Sequence, residues 1–224
     1  MTVTEGPYKG FFGKEPEYEQ WAAWGPQIWQ KDPGAAVVLA NECDNLGMDT
    51  NEAGWVVGWV MECYEKGALK KEDLDGLEMT WGNVEATRAL LRNIAHRHGY
   101  GDTLAEGVKR AAEKLGGEAV NWAIFTGKGN TPRGHDHRGR WVEMLDTTVS
   151  DTSTLQTQML VMNKDLWKMP NPMDVFNPDH VVQAEANSTG SMTICDCLVQ
   201  CWFTSFCCLL YTSPSPRDLS TSRM

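Results

Sequence analysis

What this chain lacks narrows its class. No apolar run approaches the ~20 residues that a membrane-spanning helix needs, and the N-terminus carries no signal-peptide pattern. Positive charge is scarce: 20 Lys and Arg stand against 30 Asp and Glu, a formal charge of −10. That balance argues against nucleic acid or an anionic membrane surface as the main partner. The seven cysteines are odd in number and form no regular framework, which fits a reducing cytoplasm better than a secreted disulfide scaffold. Internal repeats and low-complexity runs are absent too. What remains is 224 residues with 42% hydrophobic and 22% charged content, a globular composition long enough to bury a core as one large domain or two small ones.

Hydrophobic periodicity predicts a mainly α fold. Residues 1–31, rich in Gly, Pro, Trp and Glu, read as an irregular segment lining a surface or site. Asp32-Pro33 then supplies a cap and a first-turn proline for a helix to about Leu46, with Ala36, Leu39, Cys43 and Leu46 on one stripe and Gly47 as its stop. Asp49 caps the next helix, which places Glu52 in its first turn and sets Trp55, Trp59 and Cys63 beside Val56, Val60 and Tyr64. Further helices are expected from Asn83 to His98 and from Asp102 to Leu115. Beyond Glu118 the period fades, with a short strand at Val120 to Phe125 and a loop at Gly127 to Gly139. Asn177-Pro178 opens a last helix, broken at Asn187 to Gly190. The composition shift near Glu118 suggests helical subdomains at 32–117 and 118–206. The ten tryptophans are read as core residues or as the walls of a flat apolar substrate slot.

The tail reads differently. Cys208 to Met224 matches the translation of a transposon-end adapter used in sequencing libraries, followed by its index and second segment. Residues 207–224 are therefore expected to be foreign to the fold, and the native chain is expected to continue beyond them.

Two acidic blocks carry the chemistry: Asp44-Asn45-Leu46-Gly47-Met48-Asp49 and Asp196-Cys197-Leu198-Val199-Gln200-Cys201-Trp202. Each sets a carboxylate at the start of a tight segment, suited to accept hydrogen bonds from a ligand, and the second adds the Cys201 thiol. Cys195, Cys197 and Cys201 as a local metal site, or Cys201 as a plain buried thiol, are the competing readings.

With these blocks go Pro16-Glu17-Tyr18-Glu19, Trp24-Gly25-Pro26, Met61-Glu62-x-Tyr64-Glu65-x-Gly67, Lys71-Glu72-Asp73-x-Asp75-Gly76-Leu77-Glu78, Trp81-Gly82 and Gly101-Asp102-x-Leu104-Ala105-Glu106-Gly107-Val108. In that order and spacing, residues 7–206 resemble the two helical C-terminal domains of the tungsten-containing aldehyde ferredoxin oxidoreductase family. The resemblance implies a tungsten bis-pterin with a 4Fe-4S cluster alongside, and ferredoxin or electron-transfer subunits as partners in an oligomer. In the family's Asp-x-x-Gly-Leu-Asp motif, which holds one pterin, Asp44, Met48 and Asp49 take the matching places. The family's second motif, Asp-x-x-Gly-Leu-Cys, falls on Asp196, Val199, Gln200 and Cys201, so Asp196 is implied to touch pterin and Cys201 to ligate the cluster; Gln200 and Trp202 flank that contact. Val199 and Gln200 depart from the pattern. The family's other three cluster ligands, in a Cys-x-x-Cys-x-x-x-Cys segment, and its N-terminal pterin domain are not in this sequence, so the chain by itself is expected to be inactive.

Pro16-Glu17-Tyr18-Glu19 resembles the region that brings a glutamate toward tungsten, with Glu19 preferred over Glu17 as the proton carrier and solvated loop acids as the alternative. Aldehyde oxidisers place a histidine where Asp151-Thr152-Ser153-Thr154-Leu155-Gln156 carries Gln156, which cannot cycle a proton. Asp151 and Thr152 remain as cofactor contacts, and His135 and His137 stand among Arg133, Arg138 and Arg140, a cluster suited to phosphate or to a solvated loop. With Tyr18 to Pro26, this is similar to the tungsten subunit of ATP-independent benzoyl-CoA reductases. Reduction of an aromatic acyl-CoA is the first expectation, oxidation of aldehydes the second, and an inactive helical scaffold the third.

Overall fold

Short polar side chains start the long helices. Asp32 accepts a hydrogen bond from the Gly34 amide (2.9 Å) at the head of α2 (Pro33–Asn45), and Asp49 accepts one from the Glu52 amide (2.7 Å) at the head of α3 (Thr50–Glu65). Asn83 does the same from the Ala86 amide (3.1 Å) for α4 (Val84–Ala95). The computed structural model describes residues 1–149, 173–188, 190, 197 and 199. Its contacts divide the chain into two units, residues 1–135 and 136–224.

The first unit is built around α2, which is buried on nearly all sides from Gly34 to Asn41. It packs against α4 and against a short helix, α1 (Tyr18–Trp24), that also lies on α3. The α1–α3 approach is close enough that a Cβ on Gly54 would stand 2.8 Å from the Ala23 Cβ. Trp24, Leu39, Val57, Met61, Leu90 and Leu91 fill the shared core. The short helices α5 (Gly101–Leu104), α6 (Val108–Leu115) and α7 (Ala119–Trp122) follow α4 in the chain. Both α6 and α7 close on α3, where the Trp59 indole donates to the Ala119 carbonyl at 2.8 Å. Trp24 and Trp59 are therefore core residues, while Trp29 stays 65% exposed.

In the second unit α8 (Trp141–Val149) packs on α9 (Pro178–Ser188), with Ala184 buried beside Val142 and Met173. No extended strand occurs among the described residues, only an isolated bridge between Thr2 and Phe12.

Four local expectations are corrected. The irregular segment at 1–31 contains α1, because Glu17 and Gln20 form a reciprocal cap: the Glu17 amide donates to Gln20 Oε1 at 3.1 Å while the Glu17 carboxyl accepts from the chain ahead. Val120 to Phe125 is not a strand; Ala119, buried against α3, starts a helical turn instead. The helix expected from Asp102 to Leu115 breaks at Gly107, whose φ of +86° no side-chain-bearing residue adopts readily. The stretch read as losing its helical period holds α8.

Candidate active site

Asp44 closes the last turn of α2, and Gly47, at φ +70°, reverses the chain toward Asp49. Met48 packs against the core and its carbonyl lies 3.6 Å from the Cys43 thiol, so the backbone of the turn is anchored. Asp44 accepts a hydrogen bond from Gln20 Nε2 at 2.8 Å, and its other oxygen faces Lys14 at 4.0 Å. One Asp49 oxygen caps α3.

Gln20 belongs to α1, and the same helix start carries the candidate acids. The Glu19 amide donates to Glu17 Oε1 at 3.1 Å, which draws the two carboxyl groups together. Partial burial, then the hydrogen bond and charge of Glu19, push Glu17 up to about 7. Burial works against ionisation of Glu19, yet the Glu17 hydrogen bond, the Arg133 charge and the Tyr18 hydroxyl together hold it below the usual carboxylate range. Tyr18 donates to Glu19 at 3.0 Å, and its hydroxyl lies 2.9 Å from His135 Nε2, with the two rings stacked at 5.4 Å. Arg133 pairs directly with Glu19.

Residues far apart in sequence hold this arrangement. Asn51 Nδ2 donates to Thr131 Oγ1 (3.2 Å) and to the Pro132 carbonyl (3.1 Å), and the Trp55 indole donates to the same carbonyl (2.7 Å). Glu52 accepts from Thr131 Oγ1 (2.7 Å) and from the Thr131 amide (3.3 Å), and its other oxygen accepts from the Val108 amide (2.9 Å). Sequence reasoning missed Lys14, Gln20, Asn51, Glu52 and Trp55 as members of the site. The Gln20 cap was legible in Glu17-x-x-Gln20; the contacts from α3 to Thr131 had no local signal.

The structure thus brings Glu17, Glu19 and His135 together, with Asp44 joined to them through Gln20. His137 belongs to the second unit, where its Nε2 lies 3.5 Å from the buried Glu143. The arginines do not form a free basic cluster. Arg133 meets Glu19, Arg138 meets Asp136 at 2.7 Å, and Arg140 meets Glu143 at 3.1 Å. Asp151, Thr152, Asp196, Gln200, Cys201 and Trp202 lie outside the described residues.

Would the turn at Asp44 fit a pterin? A Cβ on Gly47 would meet nothing within 4 Å, so open space stands over the turn. Asp44 is partly exposed there, a carboxylate acceptor for N–H donors of the ring edge, and the core holds the backbone beneath it. These features fit. In the second block Val199, which stands where the family motif has glycine, has φ +53°, the left-handed backbone that glycine would adopt. Its φ falls in the same left-handed region as Gly47 of the first block, at +70°. For a cluster, no group of three or more His, Cys, Asp or Glu among the described residues is arranged to hold a metal ion. Burial pushes the Cys43 and Cys63 thiols up to about 11 and about 12, so they stay protonated and are poor ligands.

Comparison with known proteins gives a consistent picture. The family model described as aldehyde ferredoxin oxidoreductase, domains 2 & 3, matches residues 1–221. A WOR-like subunit of an aliphatic sulfonate oxidoreductase from Pyrococcus furiosus is 41% identical over 110 residues, 49% of this chain and 18% of that protein. A tungsten-containing aldehyde ferredoxin oxidoreductase from Thermococcus kodakarensis is 29% identical over 208 residues, 92% of this chain and 32% of that one. Among solved structures, the active site complex BamBC of benzoyl coenzyme A reductase with 1,5-dienoyl-CoA is similar at a TM-score of 0.53 and 25% identity, over 62% of this chain and 21% of that chain. The chain spans about a third or less of the length of these relatives. By its fold, its motif order and the extent of that match, it belongs to the aldehyde ferredoxin oxidoreductase family of oxidoreductases.

Proposed function

We propose that this chain is the helical portion of a tungsten-pterin oxidoreductase that reduces an aromatic acyl-CoA. The observation that carries the reading is a carboxyl pair placed beside the pterin-type turn: Glu17 and Glu19 start α1, and Gln20 of the same turn holds Asp44. Asp44, Met48 and Asp49 would hold one pterin, with Asp196, Gln200, Trp202, Asp151 and Thr152 as further cofactor contacts. Cys201 would give one ligand to a 4Fe-4S cluster. When bound, the tungsten centre supplies electrons of low potential.

The chain's own residues then manage protons. Glu17, held near 7, is roughly half protonated at neutral pH and can both hold and release a proton, which suits an acid that must protonate a reduced ring. Glu19 stays ionised beside Arg133, and Tyr18 links it to His135, a route by which a proton can be replaced. This reverses the sequence-based preference for Glu19 as the proton carrier. His137, set against Glu143, is a second proton-exchanging candidate. Similarity to the BamBC complex, which holds 1,5-dienoyl-CoA, supports an acyl-CoA substrate and a multisubunit assembly. A ferredoxin or electron-transfer subunit is the partner such a low-potential reduction would need. No helix among the described residues is long and apolar enough to cross a membrane.

Oxidation of aldehydes is the second reading, favoured by the aldehyde ferredoxin oxidoreductases among the relatives. Anaerobic expression of the full-length gene, assayed with benzoyl-CoA and with aldehydes, separates the two. Ring reduction supports the first reading, and aldehyde oxidation without ring reduction overturns it in favour of the second.

A further inference from the structure

The Glu19 amide holds the Glu17 carboxyl at 3.1 Å, and two carboxyl groups so drawn together do not readily ionise at once, so the pair shares one proton over a range of pH. In a symmetric setting that proton would visit both. The Glu17–Glu19 setting is not symmetric. Arg133 pairs with Glu19, and the Tyr18 hydroxyl donates to the same carboxylate at 3.0 Å. Other groups facing the pair are Gln20 of α1 and His135, which reaches it through Tyr18; Asp44 and Lys14 lie one step further, beyond Gln20.

Arg133 lies 114 residues from Glu19 in the chain and belongs to no helix. Its place is set by α3. Asn51, Glu52 and Trp55 make five hydrogen bonds to Thr131 and Pro132, the residues just before it. Thr131 is 3% exposed, so the clamp is closed to water on that side. The clamp starts two residues after Asp49, so the segment bearing the pterin-type turn also seats the arginine.

We propose that Arg133, seated by the Asn51–Glu52–Trp55 clamp, is a positioning residue that assigns the negative charge of the pair to Glu19 and leaves Glu17 as its acid. The inference rests on the functional reading above only in what the proton is used for.

Carboxyl carbon NMR of the full chain labelled at glutamate tests it, with Glu17→Gln and Glu19→Gln assigning the signals. In the wild type each carboxyl should titrate in one step, Glu19 in the lower and Glu17 in the upper. In Arg133→Gln both signals should show both steps, and Arg133→Lys should restore the sorted pattern. Glu52→Ala should mix the steps as Arg133→Gln does, with the fold checked by circular dichroism. A sorted pattern that survives Arg133→Gln overturns the role of Arg133; one that survives Glu52→Ala overturns that of the clamp. Titration needs no tungsten or pterin, so a wrong functional reading leaves the sorted pattern intact. Mixed steps in the wild type would sink the inference without touching cofactor binding.

Discussion

Removing the Glu52 carboxylate should cost this protein a large part of its stability, because one side chain ties three segments. Glu52 accepts from the Val108 amide at 2.9 Å, from Thr131 Oγ1 at 2.7 Å and from the Thr131 amide at 3.3 Å. The donors sit on residues that are 0% and 3% exposed, so water replaces the lost acceptor poorly. Hydrogen bonds to a charged group are worth roughly 1.5–3 kcal/mol each, and the 3.3 Å contact is weak. Two good bonds therefore give a loss of about 3 kcal/mol for Glu52→Ala after some entry of water. Glu52→Gln keeps one acceptor oxygen and should lose about 1–2 kcal/mol. The Asp49 cap survives in both variants because it uses the Glu52 backbone amide. Urea unfolding followed by tryptophan fluorescence and circular dichroism measures the loss, and amide exchange at Val108 should accelerate. A loss for Glu52→Ala below about 0.5 kcal/mol, the range of ordinary surface changes, would refute the clamp.

Glu17 should make stability depend on pH. Its folded pKa of about 7 lies above its ordinary 4.5, so its contribution is fully present below 4.5 and is lost as pH rises through 7. For a fully desolvated group that gap would be worth about 3.4 kcal/mol, but Glu17 is exposed and water screening reduces it to about 1 kcal/mol. Unfolding measured from pH 4.5 to 8 should flatten by that amount in Glu17→Gln, and an unchanged slope counts against the pair. Gly54→Ala should destabilise by on the order of 1 kcal/mol, since a contact of 2.8 Å with Ala23 outweighs the better helix propensity of alanine. A gain in melting temperature would show that α1 is not seated on α3 as described. Val199→Gly should stabilise by about 0.5–1 kcal/mol, relieving a β-branched residue at φ +53° against the extra unfolded-state freedom of glycine. A lower melting temperature would contradict the left-handed backbone there.

The helices that announce themselves locally were legible in the sequence. Asp32-Pro33, Asp49 and Asn83 are caps whose chemistry does not depend on the rest of the fold, and α2, α3 and α4 begin where they stand. Residues whose structure depends on distant partners were not. Ala119–Trp122 has the β-branched and aromatic content of a strand, yet contact with Trp59 of α3 makes it a helical turn. Gly107 looked like a tolerated glycine within a helix, while its positive φ and the Glu52 bond to Val108 end one helix and start another. The site divides in the same way. Asp44, Glu17 and Glu19 stood out as carboxylates in ordered motifs. Asn51, Glu52 and Trp55 looked like an ordinary helix start, because their role exists only once Thr131, about 80 residues away, is folded against them. The arginines read as one basic patch because sequence shows charge but not the carboxylate that each one meets.

Tungsten content of the anaerobically purified full-length protein, compared between the wild type and Asp44→Ala, tests most directly the proposal that the turn at Asp44 holds a pterin. The wild type should carry tungsten with extractable pterin, and Asp44→Ala should lose most of both while keeping its helical circular dichroism. A wild type free of tungsten and pterin, or an Asp44→Ala protein with full content of each, would contradict the assignment.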